Sequence, residues 1–168
     1  MDDAEDAEVI LHEYGHAIHF SQNFSFASEE AGAISEGFGD YWSADVSSIV
    51  TDGFGLPNPD PACIADWDST SYTSDVPHCL RRVDTSLTYP TDLNGEVHHD
   101  GQIWSRALWD IRGALGHDEA DTIILLGQFD FPGTTMTALA TSTVAVAQLL
   151  YPADAAAVTA AFHARGIL

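Results

Sequence analysis

Apolar positions along the chain recur mainly at helical spacing. Val9, Ile10, Leu11, Tyr14, Ala17, Ile18 and Phe20 crowd one stretch as in a buried helix, predicted over residues 5 to 20. Acidic residues in its first turn suit the positive end of the helix dipole. Ser28 followed by Glu29 and Glu30 reads as the cap of a second helix, running to about Val50. A third is predicted over about 98 to 115, ending at Gly116, and Trp104, Leu108 and Ile111 give it an i, i+4, i+7 stripe that reads as packing. Two more fall near 118 to 128 and 134 to 150, and a last one follows Pro152 to Arg165. The uncharged run from Thr134 to Ala153 is interrupted by Thr, Ser and Gln and closed by Pro152, which marks a core helix rather than a membrane span.

These elements predict a mainly α fold. The chain of 168 residues suits one domain with a single core, and no tract resembles a linker or a repeat. The exception to the helical pattern is Thr51 to Val97, an insert rich in Asp, Pro, Ser and Thr. It is too long for an ordinary connection, so it is either functional or tied down.

Charge narrows the partners. The chain has 5 arginines, no lysine and 26 acidic residues, a formal charge of −21. Phosphate binding needs clustered positive charge, so nucleic acid is excluded as a partner, and no membrane association is expected. Acidity of this degree keeps a protein hydrated at high salt, which suits a halophilic source.

Chemistry concentrates at HEYGH, residues 12 to 16. Positions i and i+4 of a helix lie about 40° and 6 Å apart, so His12 and His16 can reach one metal ion while Glu13 points beside it. A catalytic zinc takes three protein ligands and leaves one position for water. Glu36, with 19 residues between it and His16, completes the count. Position 22 is Gln22, so the metzincin pattern, with a third histidine there, fails. His19 sits about 10 Å along the axis from His12, too far to ligate from the same straight helix, and is expected to pack or to line the cleft.

In these motifs the chain resembles the thermolysin-type gluzincin metallopeptidases, and within them the fungalysin-like branch. EAGAISEGFGD, residues 30 to 40, is similar to the family's third-ligand helix. There a glutamate binds zinc and an aspartate four residues later supports a zinc-bound histidine, which here implies Glu36 and Asp40. In GEVHHDGQIWSRALWDIR, residues 95 to 112, Val97, His98, Gly101 and Trp104 match a fungalysin segment, and AFHARGIL, residues 161 to 168, resembles the last helix of the catalytic lobe. The resemblance implies the helical C-terminal lobe of a zincin, with peptide or protein as substrate. The β-rich N-terminal lobe is expected to be missing from this chain, together with any propeptide. Residues 1 to 8 are acidic and no apolar stretch precedes the motif, so no signal peptide is expected in them.

The roles follow from the chemistry of amide hydrolysis. One zinc per chain is expected, with Glu13 as general base and then acid. A donor must stabilise the oxyanion, and His98 and His99 are adjacent candidates; the family spacing to Gly101 favours His98. Asp92 is expected to hold that imidazole in its donor tautomer. Arg81 and Arg82 are candidates for binding the substrate carbonyl or a structural carboxylate, with Arg82 assigned to substrate. Thermolysin-type enzymes carry a tyrosine between the second histidine and the third ligand; an ungapped match puts Ala27 there, beside Phe24 and Phe26.

Cys63 and Cys79 are the only cysteines, lack CxxC spacing and share the polar insert, so they are expected to pair in a secreted protein. Asp52, Asp60, Asp66, Asp68 and Asp75 offer a calcium site like those that brace the family, although no EF-hand spacing is present and a solvated acidic loop is the simpler reading. The expected activity is that of a zinc endopeptidase. The alternatives are an aminopeptidase of the same clan, or a zinc-stabilised binding module without catalysis.

Overall fold

The computed structural model describes residues 3–22, 27–129, 131 and 133–168. Six α-helices dominate these residues: α1 (Ala7–Ser21), α2 (Glu29–Phe54), α3 (Val97–Leu115), α4 (His117–Gln128), α5 (Met136–Leu150) and α6 (Ala155–Ala164). The fold is mainly α, as the hydrophobic pattern predicts. No described helix is long and apolar enough to cross a membrane.

Helix ends follow local chemistry. Asp6 caps α1 by accepting from the Glu8 N–H at 2.8 Å, and Ser28 caps α2 by accepting from Ala31 at 3.1 Å. Gly55 ends α2 at φ 64°, a left-handed conformation that glycine adopts without strain. The side chain of Glu96 caps α3, taking the N–H groups of both His98 and His99.

The long α2 is the centre of the molecule, packed on α1 at one side and α3 at the other, while α4, α5 and α6 close the core around α3. Ile34, Phe38 and Tyr41 from α2 meet Trp104, Leu108 and Ile111 from α3, and Trp104 stacks on Phe162 of α6 with centroids 5.3 Å apart. Glycine sets the helix separations. A Cβ at Gly37 would strike the Gly101 carbonyl of α3, and one at Gly39 would fall 2.8 Å from His12 Nδ1 of α1. Where Gly37 meets Gly101 and Gly15 meets Gly39 the helices approach at backbone distance because neither carries a side chain, and the bare face of Gly39 also leaves room for the His12 ring.

Helix α1 departs from the expected buried helix. Ile10, Tyr14 and Phe20 are 52%, 59% and 64% exposed, whereas His12, Gly15 and His19 face the interior. The reason is the packing on α2: a close crossing needs Gly15, and the residues one turn either side of it on that face are histidines.

The insert contains a short antiparallel pair, β1 (Cys63–Ile64) with β2 (Arg81–Arg82), in the register Cys63 to Arg82 and Ile64 to Arg81. A disulfide joins Cys63 to Cys79 and ties the segment down. Ile64, Ala65 and Val83 bury against Ala44 of α2 as a second small core. Four of the five arginines sit on carboxylates: Arg81 on Asp40, Arg82 on Asp60 and Asp84, Arg106 on Asp110 and Arg112 on Asp45. The fifth, Arg165, donates to the Thr85 carbonyl.

Candidate metal centre and cleft

Helices α1 and α2 bring His12, His16 and Glu36 together. The two Nε2 atoms are 3.0 Å apart, and Glu36 Oε2 and Oε1 lie 3.3 and 3.5 Å from His12 and His16 respectively. Ligand atoms about 2.0–2.2 Å from a tetrahedral ion are separated by about 3.3–3.5 Å, and the pairwise contacts among these three residues, whose ligand atoms lie within 4.8 Å of one another, are close to that spacing. Two further observations point to a cation. Glu36 Oε2 is buried with no hydrogen-bond partner, and two imidazole nitrogens face each other with only one proton's width between them. The donor set of two nitrogens and a carboxylate fits zinc.

Partners on the far side of each ring fix which nitrogen faces the centre. His12 Nδ1 lies 2.9 Å from Asp40 Oδ1, the geometry of a ring N–H donating to a carboxylate, which leaves the Nε2 lone pair directed at the triangle. His16 Nδ1 lies 2.8 Å from Ser35 Oγ. Asp40 is fully buried and also accepts from Arg81 Nε at 2.7 Å and from its terminal nitrogen at 2.8 Å. This bidentate pair compensates the burial of the charge.

The electrostatics are those of a centre seeking positive charge. Burial opposes the charged form of His12, but the Asp40 and Glu36 carboxylates outweigh it and raise the ring to about 9. His16 is lowered, by burial and then by its neighbour His12. Burial would raise Glu36 and Asp40, yet contact with the charged form of the His12 ring draws both down, helped by His16 at Glu36 and Arg81 at Asp40. His19 is pushed down to about 3 by burial and packs edge-on against Phe38 at 5.3 Å. It is a core residue away from the triangle.

His98 reaches the centre from the start of α3. Its Nε2 is 3.4 Å from Glu36 Oε2, and its Nδ1 is 2.6 Å from Glu96 Oε1. The hydrogen bond from His98 drives the Glu96 carboxyl down to about 2. His99 points elsewhere, with Nδ1 3.0 Å from Asp100. Glu13, His12, His98 and Arg81 line one cavity of about 290 Å³, whose wall also includes Val9, Ile64 and Leu80.

Two expected site residues stand elsewhere. Asp92 accepts from the Thr88 N–H and hydroxyl at 2.8 and 2.9 Å, and the carboxylate that holds His98 is Glu96. Arg82 points the opposite way along β2 from its neighbour and is taken up by Asp60 and Asp84, so Arg81 is the arginine of the cleft. Alternation of side chains along a strand separates the two. Ser35 and Glu96 escaped the sequence reading. Glu96, an acid two residues before a histidine at a helix start, carried a recognisable capping signal; Ser35 carried none. Ala27 lies in the described residues at the start of α2, while Phe24 and Phe26 lie outside them. Among the expected calcium carboxylates no three converge; the other set of three close donors is Asp60 with the two disulfide sulfurs.

A search of curated proteins finds no match to this chain. The model of the fungalysin metallopeptidase family (M36) matches residues 1–120, which span α1, α2, the insert and all of α3 and so include every residue of the centre just described. The chain belongs to the fungalysin metallopeptidase family.

Proposed function

We infer that the chain is the catalytic lobe of a secreted zinc endopeptidase, holding one zinc ion per chain on His12, His16 and Glu36. The observation that carries this is the convergence of His12, His16 and Glu36, whose ligand atoms lie within 4.8 Å of one another, beside a cavity that Glu13 and His98 also line. When bound, zinc polarises the scissile carbonyl and lowers the pKa of a coordinated water toward neutrality. Glu13 leaves α1 about 100° from His12, so it faces the cleft without joining the ligands. Its carboxylate takes the proton of the attacking water and passes it to the leaving amine. His98, with Nδ1 fixed on Glu96, turns Nε2 toward the centre and donates to the oxyanion. Arg81 holds Asp40 and presents the rest of its guanidinium to the cleft, in the position for a substrate carbonyl. The disulfide fits an oxidising, extracellular setting.

The test is Glu13→Gln in the zinc-loaded lobe completed by the β-rich N-terminal lobe of the family, with the completed parent as reference. Stoichiometric zinc and peptide binding should be kept while nearly all hydrolysis is lost. Peptide cleavage at the parent rate by Glu13→Gln, or no cleavage by the parent itself, sinks the reading.

A further inference from the structure

The cavity beside Glu13 runs back along α1. Val9 is one turn before Glu13, and Asp6, the cap of the helix, is seven residues before it, about 10 Å along the axis. The backbone N–H of Asp68 donates to Asp6 Oδ2 at 2.9 Å, which fixes Asp68 at that distal end, and Asp68 lines the same cavity as Glu13. At about 290 Å³ the cavity is close to the lower bound of ~300 Å³ for small-molecule sites, room for one long side chain rather than a whole ligand.

Asp68 is 3% exposed, and its Oδ1 has no hydrogen-bond partner. A buried carboxylate oxygen with no donor is costly, and a cation relieves that cost. Asp3 lines the same end; burial, and then the facing carboxylates of Asp3 and Asp6, raise the Asp68 carboxyl above the usual aspartate range. Arg81, the arginine of this cavity wall, is already held by Asp40. A metal ion does not suit the place, because these carboxylates are not among the sets of three donors that converge in the described residues. The remaining walls are the apolar Val9, Ile64, Ala65 and Leu80, with Tyr72 at the end near the Asp3 and Asp68 carboxylates. Apolar walls ending in an unsatisfied carboxylate match an alkyl stem that carries its charge at the tip.

We propose that Asp68 determines substrate specificity: the cavity receives a lysine or arginine side chain adjacent to the scissile bond, its stem along Val9, Ile64 and Leu80 and its charge on Asp68 Oδ1. The proposal rests on the peptidase reading above. It adds a class of substrate, peptides with a basic residue at one fixed position beside the cleaved bond.

The experiment compares three synthetic peptides, identical except for lysine, acetyl-lysine or norleucine at that position, as substrates of the zinc-loaded enzyme; the position is found by mapping cleavage sites in a mixed peptide library. Lysine should exceed acetyl-lysine by about 10- to 100-fold in kcat/KM, the range for losing a charged hydrogen bond. Asp68→Asn should erase that ratio by lowering lysine cleavage to the level of acetyl-lysine in the same variant. The acetyl-lysine comparison needs only the parent enzyme, so a misfolded variant does not blunt the test. Equal rates for lysine and acetyl-lysine, or a lysine preference intact in a folded Asp68→Asn, overturn the proposal and leave the peptidase reading standing. Failure of the enzyme completed by its N-terminal lobe to cleave any library peptide removes both.

Discussion

Asp40 Oδ1 sits 2.9 Å from His12 Nδ1, so the most buried carboxylate of the centre touches a ring proposed as a zinc ligand, on the side away from the triangle. It ties α2, the insert and α1 together, since Arg81 reaches the same carboxylate from β2. Asp40→Ala should weaken zinc by about 10- to 100-fold through loss of ring orientation and basicity. A metal-buffered titration measures this, and unchanged affinity would reduce Asp40 to a structural partner of Arg81.

His98 and the ligands separate in a different way. His98→Ala should retain stoichiometric zinc and lower kcat by about 100- to 1000-fold with little change in KM, the signature of a donor used mainly in the transition state. Glu96→Gln should reproduce a smaller part of that loss, because it removes the carboxylate that fixes the His98 tautomer. Zinc loss from His98→Ala would instead place His98 among the ligands.

The Cys63–Cys79 bridge closes a loop with a sequence separation of 16 and sits two residues from Arg81. Its removal by a Cys63→Ser, Cys79→Ser double substitution should cost about 3 kcal/mol in chemical denaturation, by the chain-entropy model. Because the bridge also positions Arg81 over Asp40, the same variant should bind zinc more weakly. Full zinc affinity in the double variant would show that the strand register alone holds Arg81.

Asp121 of α4 accepts from the Tyr41 hydroxyl at 2.6 Å and lies against Asp45, which Arg112 holds. Burial and the Asp45 carboxylate raise Asp121 to about 7. A carboxyl raised in the folded state binds more protons folded than unfolded. Its contribution is therefore fully present below the ordinary aspartate range and is lost as pH rises through about 7. Unfolding of the parent and of Asp121→Asn should be compared in urea from pH 4 to 8. The parent should lose stability relative to the variant across that window; a pH-independent difference would refute the assignment.

The helices were legible where a cap, a terminal glycine or an apolar stripe marked them. Ser28 and Gly116 marked ends, and Trp104, Leu108 and Ile111 marked a face that is buried in the fold. The closeness of His12 and His16 was legible on another ground, since the two are related by helix geometry alone. The insert was not. A two-residue strand has no periodicity, so nothing in the sequence distinguished Arg81 from Arg82, and their opposite directions became visible only with the register of Ile64 against Arg81. Asp92 illustrates a related limit: separation along an irregular segment says nothing of direction, and its carboxylate turns back on Thr88. The outward face of α1 misled the reading in another way, because Ile10, Tyr14 and Phe20 are apolar yet exposed.

Four of the five arginines sit on carboxylates and the chain has no lysine, so little positive charge interrupts the negative field of a chain with formal charge −21. Such a field acts before contact. It draws positively charged peptides toward the molecule and turns acidic ones away, and its reach contracts to about 8 Å at physiological ionic strength. Added salt will accordingly act on the encounter rate far more than on the bond-breaking step, slowing the capture of cationic peptides and easing the approach of anionic ones.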